Sequence, residues 1–114
     1  MSRKTLERRR IAEKRWPHLG NLLASYFSQD FEMIDGSLNA AMDKATRDGS
    51  IENRRAIIEE WLNWNSTEGV VDDIRPFLND GFGIEVFFET ALEARTFMNR
   101  VYDGLKSSLR SAAG

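Results

Sequence analysis

Apolar residues recur with helical spacing in the stretch that follows Pro17. They occupy positions i, i+3, i+4, i+7 and i+8, which lie on one side of an α-helix: Leu19, Leu22, Leu23, Tyr26 and Phe27. Proline suits the first turn of a helix, where its missing N–H group costs nothing. The pattern therefore predicts an amphipathic helix that begins near Pro17 and buries one face.

A second helix is predicted to begin after the turn Asp35-Gly36-Ser37. Serine is a favoured N-cap residue because its hydroxyl accepts a hydrogen bond from a free backbone N–H group of the first turn. The apolar side of this helix consists of Leu38, Ala41, Met42 and Ala45. Asp48-Gly49 is a typical helix end, so the predicted helix is short.

Ser50 is the predicted N-cap of a third helix, which runs to about Trp64. Its apolar residues are Ile51, Ile57, Ile58, Trp61, Leu62 and Trp64. At about 100° per residue, Ile51, Ile58 and Leu62 mark the centre of the buried face. Trp61 lies close to this centre, and Trp64 is expected at its edge.

The stretch 66–88 is predicted to hold a shorter helix and a packed connection. Ser66-Thr67 is expected to open the helix, which Pro76 would kink or shorten. Its apolar stripe consists of Val70, Val71, Ile74, Phe77 and Leu78. Residues 80–88 alternate partly and contain two glycines, which favours a packed loop over a single short strand with no evident pairing partner.

The last predicted helix has the clearest start. Thr90-Ala91-Leu92-Glu93 matches the capping box, in which the Thr and Glu side chains each satisfy a free backbone amide. One apolar stripe follows: Ala94, Phe97, Met98, Val101, Tyr102, Leu105 and Leu109. Glycine is unfavourable inside a helix, so the well-ordered part is expected to end near Gly104.

These elements predict an all-α protein with one compact domain of about four to five helices. At most one short extended segment is expected, near 82–88, and 114 residues leave room for one core. Residues 1–15 are expected to form a basic N-terminal arm or frayed helix that contributes little to the core. Residues 16–110 form the predicted helical domain, in which short connections favour antiparallel neighbours.

The residue content excludes most catalytic chemistry. There is no cysteine, and the one histidine, His18, stands at a helix start. Asp72 and Asp73 are adjacent, so on a helix they point about 100° apart and chelate one ion poorly. Gly81-x-Gly83 lacks the strand and third glycine of a phosphate loop, and no apolar run is long enough for a membrane span. We therefore predict a binding protein, with no catalytic, metal or cofactor site.

Charge divides the chain into two parts. Residues 1–18 hold seven Lys/Arg and two acids, whereas residues 19–114 hold nine Lys/Arg and sixteen acids. An acidic surface attracts basic partners and accelerates their association. A rim tryptophan is a typical hot spot of a protein interface. The candidate partner-binding residues are therefore Asp30, Glu32, Asp35, Glu59, Glu60, Trp64, Asp72 and Asp73.

The basic arm supports an alternative function. Lysines and arginines between residues 3 and 15 could contact phosphates, as in a small nucleic-acid-associated regulator. However, the chain has no recognisable recognition helix, and its acidic body would repel a duplex. Nucleic acid is therefore the less favoured partner.

One segment resembles a known family. Tyr26-Phe27-Ser28-Gln29-Asp30-Phe31, followed by Gly36-Ser37 and then Ala40-Ala41-Met42, is similar to the N-terminal signature of helical immunity proteins of contact-dependent growth inhibition systems. The likeness extends loosely over residues 16–106. Ser28 and Phe31 stand where the family often has histidine and tryptophan, and Asn39-Ala40 replaces a usual acidic residue.

The resemblance implies a cytoplasmic protein that binds the C-terminal toxin domain of a cognate effector, one to one, and blocks it. Such toxins are commonly nucleases, whose positive substrate grooves suit an acidic inhibitor. The resemblance also implies structural roles for the motif itself. Tyr26, Phe27 and Phe31 are expected in the core, and Asp30 is expected to hold a turn through backbone amides.

Overall fold

The computed structural model describes residues 3–28 and 36–113, which fold into five α-helices. These are α1 (Arg3–Arg15), α2 (Pro17–Phe27), α3 (Leu38–Arg47), α4 (Ile51–Thr67) and α5 (Ala91–Ala113). A 3₁₀ turn (Glu68–Val70) and a π-helical segment (Phe77–Gly81) lie between α4 and α5. These ranges contain no strand, and the predicted all-α domain is confirmed. None of the described helices is long and apolar enough to cross a bilayer.

Three of the predicted helix starts agree with the structure. Pro17 opens α2, the Ser37 hydroxyl accepts a hydrogen bond from Ala40 N at 3.1 Å, and the Ser50 hydroxyl accepts one from Asn53 N at 3.0 Å. Each serine satisfies one of the N–H groups that the first turn of a helix leaves free. These caps are local interactions, which explains why the sequence reveals them.

The capping box of α5 is present in a shifted form. Thr90 Oγ1 accepts a hydrogen bond from Glu93 N at 3.1 Å, as predicted. The return bond goes from Glu89 N to Glu93 Oε2 at 2.9 Å, one residue earlier than in the usual box. The Glu93 carboxylate thus holds the end of the preceding loop against the start of the helix.

The core lies between helices that pack in pairs. Both α2 and α5 pack against α3 and α4. The predicted α2 stripe is buried except for Tyr26, which packs partly against the core, and the α5 stripe is buried from Ala94 to Leu105 except for Tyr102, which is half-buried. Phe27 and Phe97 meet edge to face with their ring centroids 4.9 Å apart. This contact joins α2 to α5.

The buried face of α4 differs from the predicted one. Arg54, Ile57, Trp61 and Trp64 are buried, whereas Ile51 and Leu62 are 39% and 48% exposed. The aliphatic residues predict a buried face centred on Ile58. The two indole rings carry more apolar surface, so the side of the helix that bears them is the buried one. Trp61 Nε1 also donates to Met98 O at 2.9 Å, which fixes this orientation against α5.

The segment after α4 also differs from the prediction. Ser66 and Thr67 end α4 instead of opening a new helix, and their hydroxyls donate back to Asn63 O. Val70 and Val71 are 69% and 51% exposed. Only the later part of the predicted stripe is buried: Ile74, Phe77 and Leu78. Pro76 stands in the first turn of a new helical segment, where a proline is tolerated.

Residues 3–15 contribute more to the core than the sequence suggested. They form a continuous helix, α1, which packs against the π-helical segment. Ala12 is buried and Ile11 packs partly against the core. Arg8 Nη1 donates to Asp80 Oδ2 at 3.1 Å, across the same contact. The apolar stripe of α1 is too thin to reveal this packing, because only Ile11 and Ala12 pack against the core while Leu6 is 51% exposed.

Gly104 lies inside α5, which continues to Ala113, so the expected end of the ordered part is wrong. A Cβ atom at this position would lie 2.8 Å from Cγ2 of Thr46 on α3, which is too close for real atoms. Thr46 is itself buried and bonds to Met42 O at 2.9 Å. The close contact of α3 with α5 therefore requires a residue without a Cβ atom at position 104.

We expect Gly104→Ala to destabilise the fold, although alanine is the better helix former. Overpacking typically costs about 1–3 kcal/mol, which exceeds the gain of about 1 kcal/mol in helix propensity. Chemical denaturation of both proteins measures the difference. Ser107→Ala, at an exposed position of the same helix, is the control and should be neutral or slightly stabilising. A stabilised Gly104→Ala variant would contradict the close contact.

Candidate interaction surface

The predicted partner-binding residues fall into three parts of the chain. Asp30, Glu32 and Asp35 lie outside the described residues, as does Phe31 of the motif. Glu59, Glu60 and Trp64 are on α4. Asp72 and Asp73 are in the connection that follows the 3₁₀ turn. The motif residue Phe27 is fully buried, as the resemblance implied, and the Tyr26 hydroxyl donates to the Asp48 carboxylate.

Glu59 and Glu60 have different environments although they are adjacent. Glu59 is exposed. The Glu60 side chain is only 16% exposed, accepts a hydrogen bond from Leu19 N at 2.9 Å, and lies 2.5 Å from His18 Nδ1. The first N–H groups of a helix lack partners and favour negative charge. Glu60 of α4 therefore caps α2, which has no side-chain cap at Trp16.

Trp64 does not lie at the edge of the core, and its predicted position was wrong. Its side chain has no exposed surface, and its ring lies 6.0 Å from that of Trp61 and 6.2 Å from that of Phe82. The indole is buried because the chain after α4 folds back over it through Phe82. Since a partner cannot contact a side chain with no exposed surface, Trp64 belongs to the core.

Asp72 and Asp73 are both exposed, and Asp73 holds an arginine in place. Arg75 Nε and Nη2 donate to the two carboxylate oxygens of Asp73 at 2.9 and 2.8 Å. Its Nη1 donates to Glu89 O at 2.8 Å. The hydrogen bonds from Arg75 lower the pKa of Asp73 below its ordinary value. Arg75 therefore ties the Asp72–Asp73 segment to the loop that precedes α5.

The loop over residues 82–89 has two distinct sides. Phe82, Ile84, Val86 and Phe88 are buried, while Glu85, Phe87 and Glu89 are exposed. The backbone is held from inside because Asn79 Nδ2 donates to Ile84 O at 3.1 Å and to Val86 O at 3.0 Å. Glu85 N donates to Phe27 O at 2.8 Å. The predicted packed loop is confirmed.

Phe87 is the most exposed large hydrophobic residue in the described part of the chain. It is 83% exposed, and Leu92, at the start of α5, is 73% exposed. Both line a shallow groove of about 340 Å³. Phe87 was not among the predicted partner-binding residues. The alternation of buried residues at even positions was a signal for it, because an odd-numbered phenylalanine must then face outward.

A larger cleft of about 470 Å³ lies where α1 and α2 meet the loop at Gly81–Gly83. Its charged lining consists of Arg9 and Glu13, and Trp16 forms part of its wall. Among residues 3–28 and 36–113, no three His, Asp or Glu side chains are placed to hold a metal ion. The exposed basic residues of α1 are compatible with the nucleic-acid alternative, which stays a prediction.

Comparison with known proteins gives one match. A family model described as CdiI immunity protein matches residues 15–105. This range contains α2, α3, α4 and the first two thirds of α5, but only the last residue of α1. No curated protein and no solved structure matches the chain.

Removal of the Glu60 carboxylate should destabilise the fold by about 1–2 kcal/mol, as expected for a lost helix cap with charged hydrogen bonds. We expect this loss for Glu60→Ala, measured by urea denaturation. Glu59→Ala is the matched control, since it removes an exposed carboxylate from the same helix turn, and it should be close to neutral. Equal effects of the two substitutions would contradict the capping role.

The Asp73–Arg75 contact should make stability depend on pH. Because the folded-state pKa of Asp73 is lowered, its contribution is present above the unfolded-state pKa of about 3.9. That contribution is lost as the pH falls through the lower folded-state value. Asp73→Asn should therefore lower the melting temperature at pH 7 and have a smaller effect near pH 2. Asp72→Asn is the control, and an Asp73→Asn effect that is unchanged by pH would argue against the ion pair.

Proposed function

Because the chain belongs to the family of CdiI immunity proteins, we propose that it protects its cell by binding a nuclease toxin domain through an acidic surface. The toxin is the C-terminal domain of the cognate contact-dependent growth inhibition effector. Binding is one to one, takes place in the cytoplasm, and blocks the toxin without any catalytic step by the immunity protein. Family membership supports toxin neutralisation, and the charge of the fold supports the acidic surface.

The proposal of an acidic binding surface rests on how the charged side chains are distributed and paired. Residues 15–105 hold sixteen acids and eight Lys/Arg. Arg54 is buried and donates to Ser108 Oγ at 3.0 Å, and Arg95 donates to Asn65 Oδ1 at 2.8 Å and to Gly69 O. Arg75 is bound by Asp73 and two backbone carbonyls. Several arginines thus serve the fold itself, and this leaves exposed carboxylates in excess.

An acidic surface suits a nuclease because a nuclease must attract phosphates. A basic substrate groove presents positive potential, and complementary charge accelerates encounter between two proteins. Glu59, Asp72 and Asp73 are the exposed, described members of the predicted binding set. Asp30, Glu32 and Asp35, outside the described residues, stay members of the predicted binding set. Glu60 is assigned to the α2 cap, and Trp64 to the core.

Co-expression with the toxin domain encoded by the adjacent upstream gene tests the function. We expect a stable one-to-one complex that survives purification, and growth rescue in cells that make the toxin. A catalytically inactivated toxin serves as the binding control, because it allows the complex to be made without selection for rescue. If no complex survives and no rescue occurs, the chain is not the immunity protein for that toxin.

Salt dependence tests the acidic surface separately. Raising the salt concentration from about 50 to about 500 mM should slow association by tenfold or more, because screening removes electrostatic steering. Stopped-flow fluorescence with the purified toxin domain measures this rate. A tight complex whose association rate is independent of salt would leave toxin binding in place and overturn the acidic surface. A separate assay tests the nuclease assignment. The toxin domain alone should degrade DNA or RNA, and addition of the chain should suppress this degradation.

A further inference from the structure

Two exposed apolar side chains lie together at one place on the surface. Phe87 and Leu92 line the same groove, and together they are the two most exposed large hydrophobic residues in the described ranges. Leu38, Glu93 and Arg100 also line this groove. A phenylalanine held in water gives a free protein no stabilisation. Adjacent exposed apolar groups of this kind mark interaction sites.

The loop that carries Phe87 is held in place before any partner arrives. Asn79 binds two of its carbonyls, Phe27 O accepts from Glu85 N, and Arg75 holds its far end through Glu89 O. The side chains on either side of Phe87, Val86 and Phe88, are buried in the core. Presenting an aromatic side chain from a backbone already in position reduces the entropy lost on binding.

The charges around this apolar pair are mostly negative. Glu85 and Glu89 share the outward side of the loop with Phe87, and Glu93 lies at the groove rim. Asp73 neutralises Arg75, which lies beside the loop. Arg100 is the basic side chain of the groove, and its guanidinium donates to Asn39 Oδ1 at 2.8 Å.

This charge pattern selects the kind of partner. A second copy docked by two-fold symmetry would bring the glutamates of one groove near those of the other, which is unfavourable. Anionic lipid and nucleic acid would be repelled for the same reason. A protein surface that has an apolar pocket surrounded by basic residues would complement both the apolar pair and the carboxylates around it.

We propose that Phe87 and Leu92, bordered by Glu85, Glu89 and Glu93, are the apolar anchor with which the chain docks onto a basic surface of its toxin. This inference rests on the function proposed above and adds the position of the contact. The phenyl ring enters an apolar pocket of the toxin, and the surrounding carboxylates pair with lysines or arginines at the pocket rim. The arrangement is that of a desolvated hot spot inside a polar ring.

Binding of the full-length chain to the purified, inactivated toxin domain tests the anchor. We expect Phe87→Ser and Leu92→Ser each to weaken the complex by about 30-fold or more, the range of a hot-spot residue. Glu85→Lys combined with Glu89→Lys should slow association. The matched controls are Leu6→Ser and Ile51→Ser, at positions 51% and 39% exposed, outside the groove and away from Glu59, Asp72 and Asp73. The controls should bind within about threefold of the original chain.

Each other outcome has a definite meaning. If the original chain binds the toxin and Phe87→Ser binds equally well, the anchor is wrong and the proposed function stands. If the original chain does not bind, both fail. A melting temperature lowered by several degrees in Phe87→Ser would show that the ring stabilises the free chain itself. A dimer of the free chain that Phe87→Ser dissolves would assign the groove to self-association. Either result overturns the anchor.

Discussion

The packing of Trp16 against the aromatic rings of distant segments organises much of the fold. Its side chain is fully buried between α1 and α2, with the Phe77 ring 5.6 Å and the Phe82 ring 6.3 Å away. Its indole N–H donates to Asn63 Oδ1 of α4 at 2.8 Å. One residue therefore joins the first two helices to α4 and to the chain before α5. Phe82 also packs against Trp64. The packing of these rings therefore fixes the position of the loop that bears Phe87.

Local interactions account for what the sequence predicted correctly. The serine caps, the proline start of α2 and the apolar stripe of α5 each depend on residues within a few positions of one another. The buried face of α4 depends instead on which surfaces meet it from other parts of the chain. Periodicity alone favoured Ile51 and Leu62, and contacts with Met98 and Phe82 favoured Trp61 and Trp64.

The candidate interaction surface could also be predicted only in part from the sequence. The excess of carboxylates beyond residue 18 is a property of composition and was evident from the sequence. The assignment of Glu60 to the α2 cap was not, because its partners are 41 and 42 positions away. Phe87 could have been found, since the alternation of residues 82–88 already separates it from its buried neighbours.

The two-sided loop separates two demands that usually compete. Its even-numbered residues fill the core, and Glu85, Phe87 and Glu89 face outward into water. Replacement of an outward residue leaves no cavity and forces no repacking. Under the proposed function, related chains can acquire new partner specificity by exchanging residues 85, 87 and 89 while the helices keep their arrangement. The alternation thus makes recognition evolvable at little cost in folding stability.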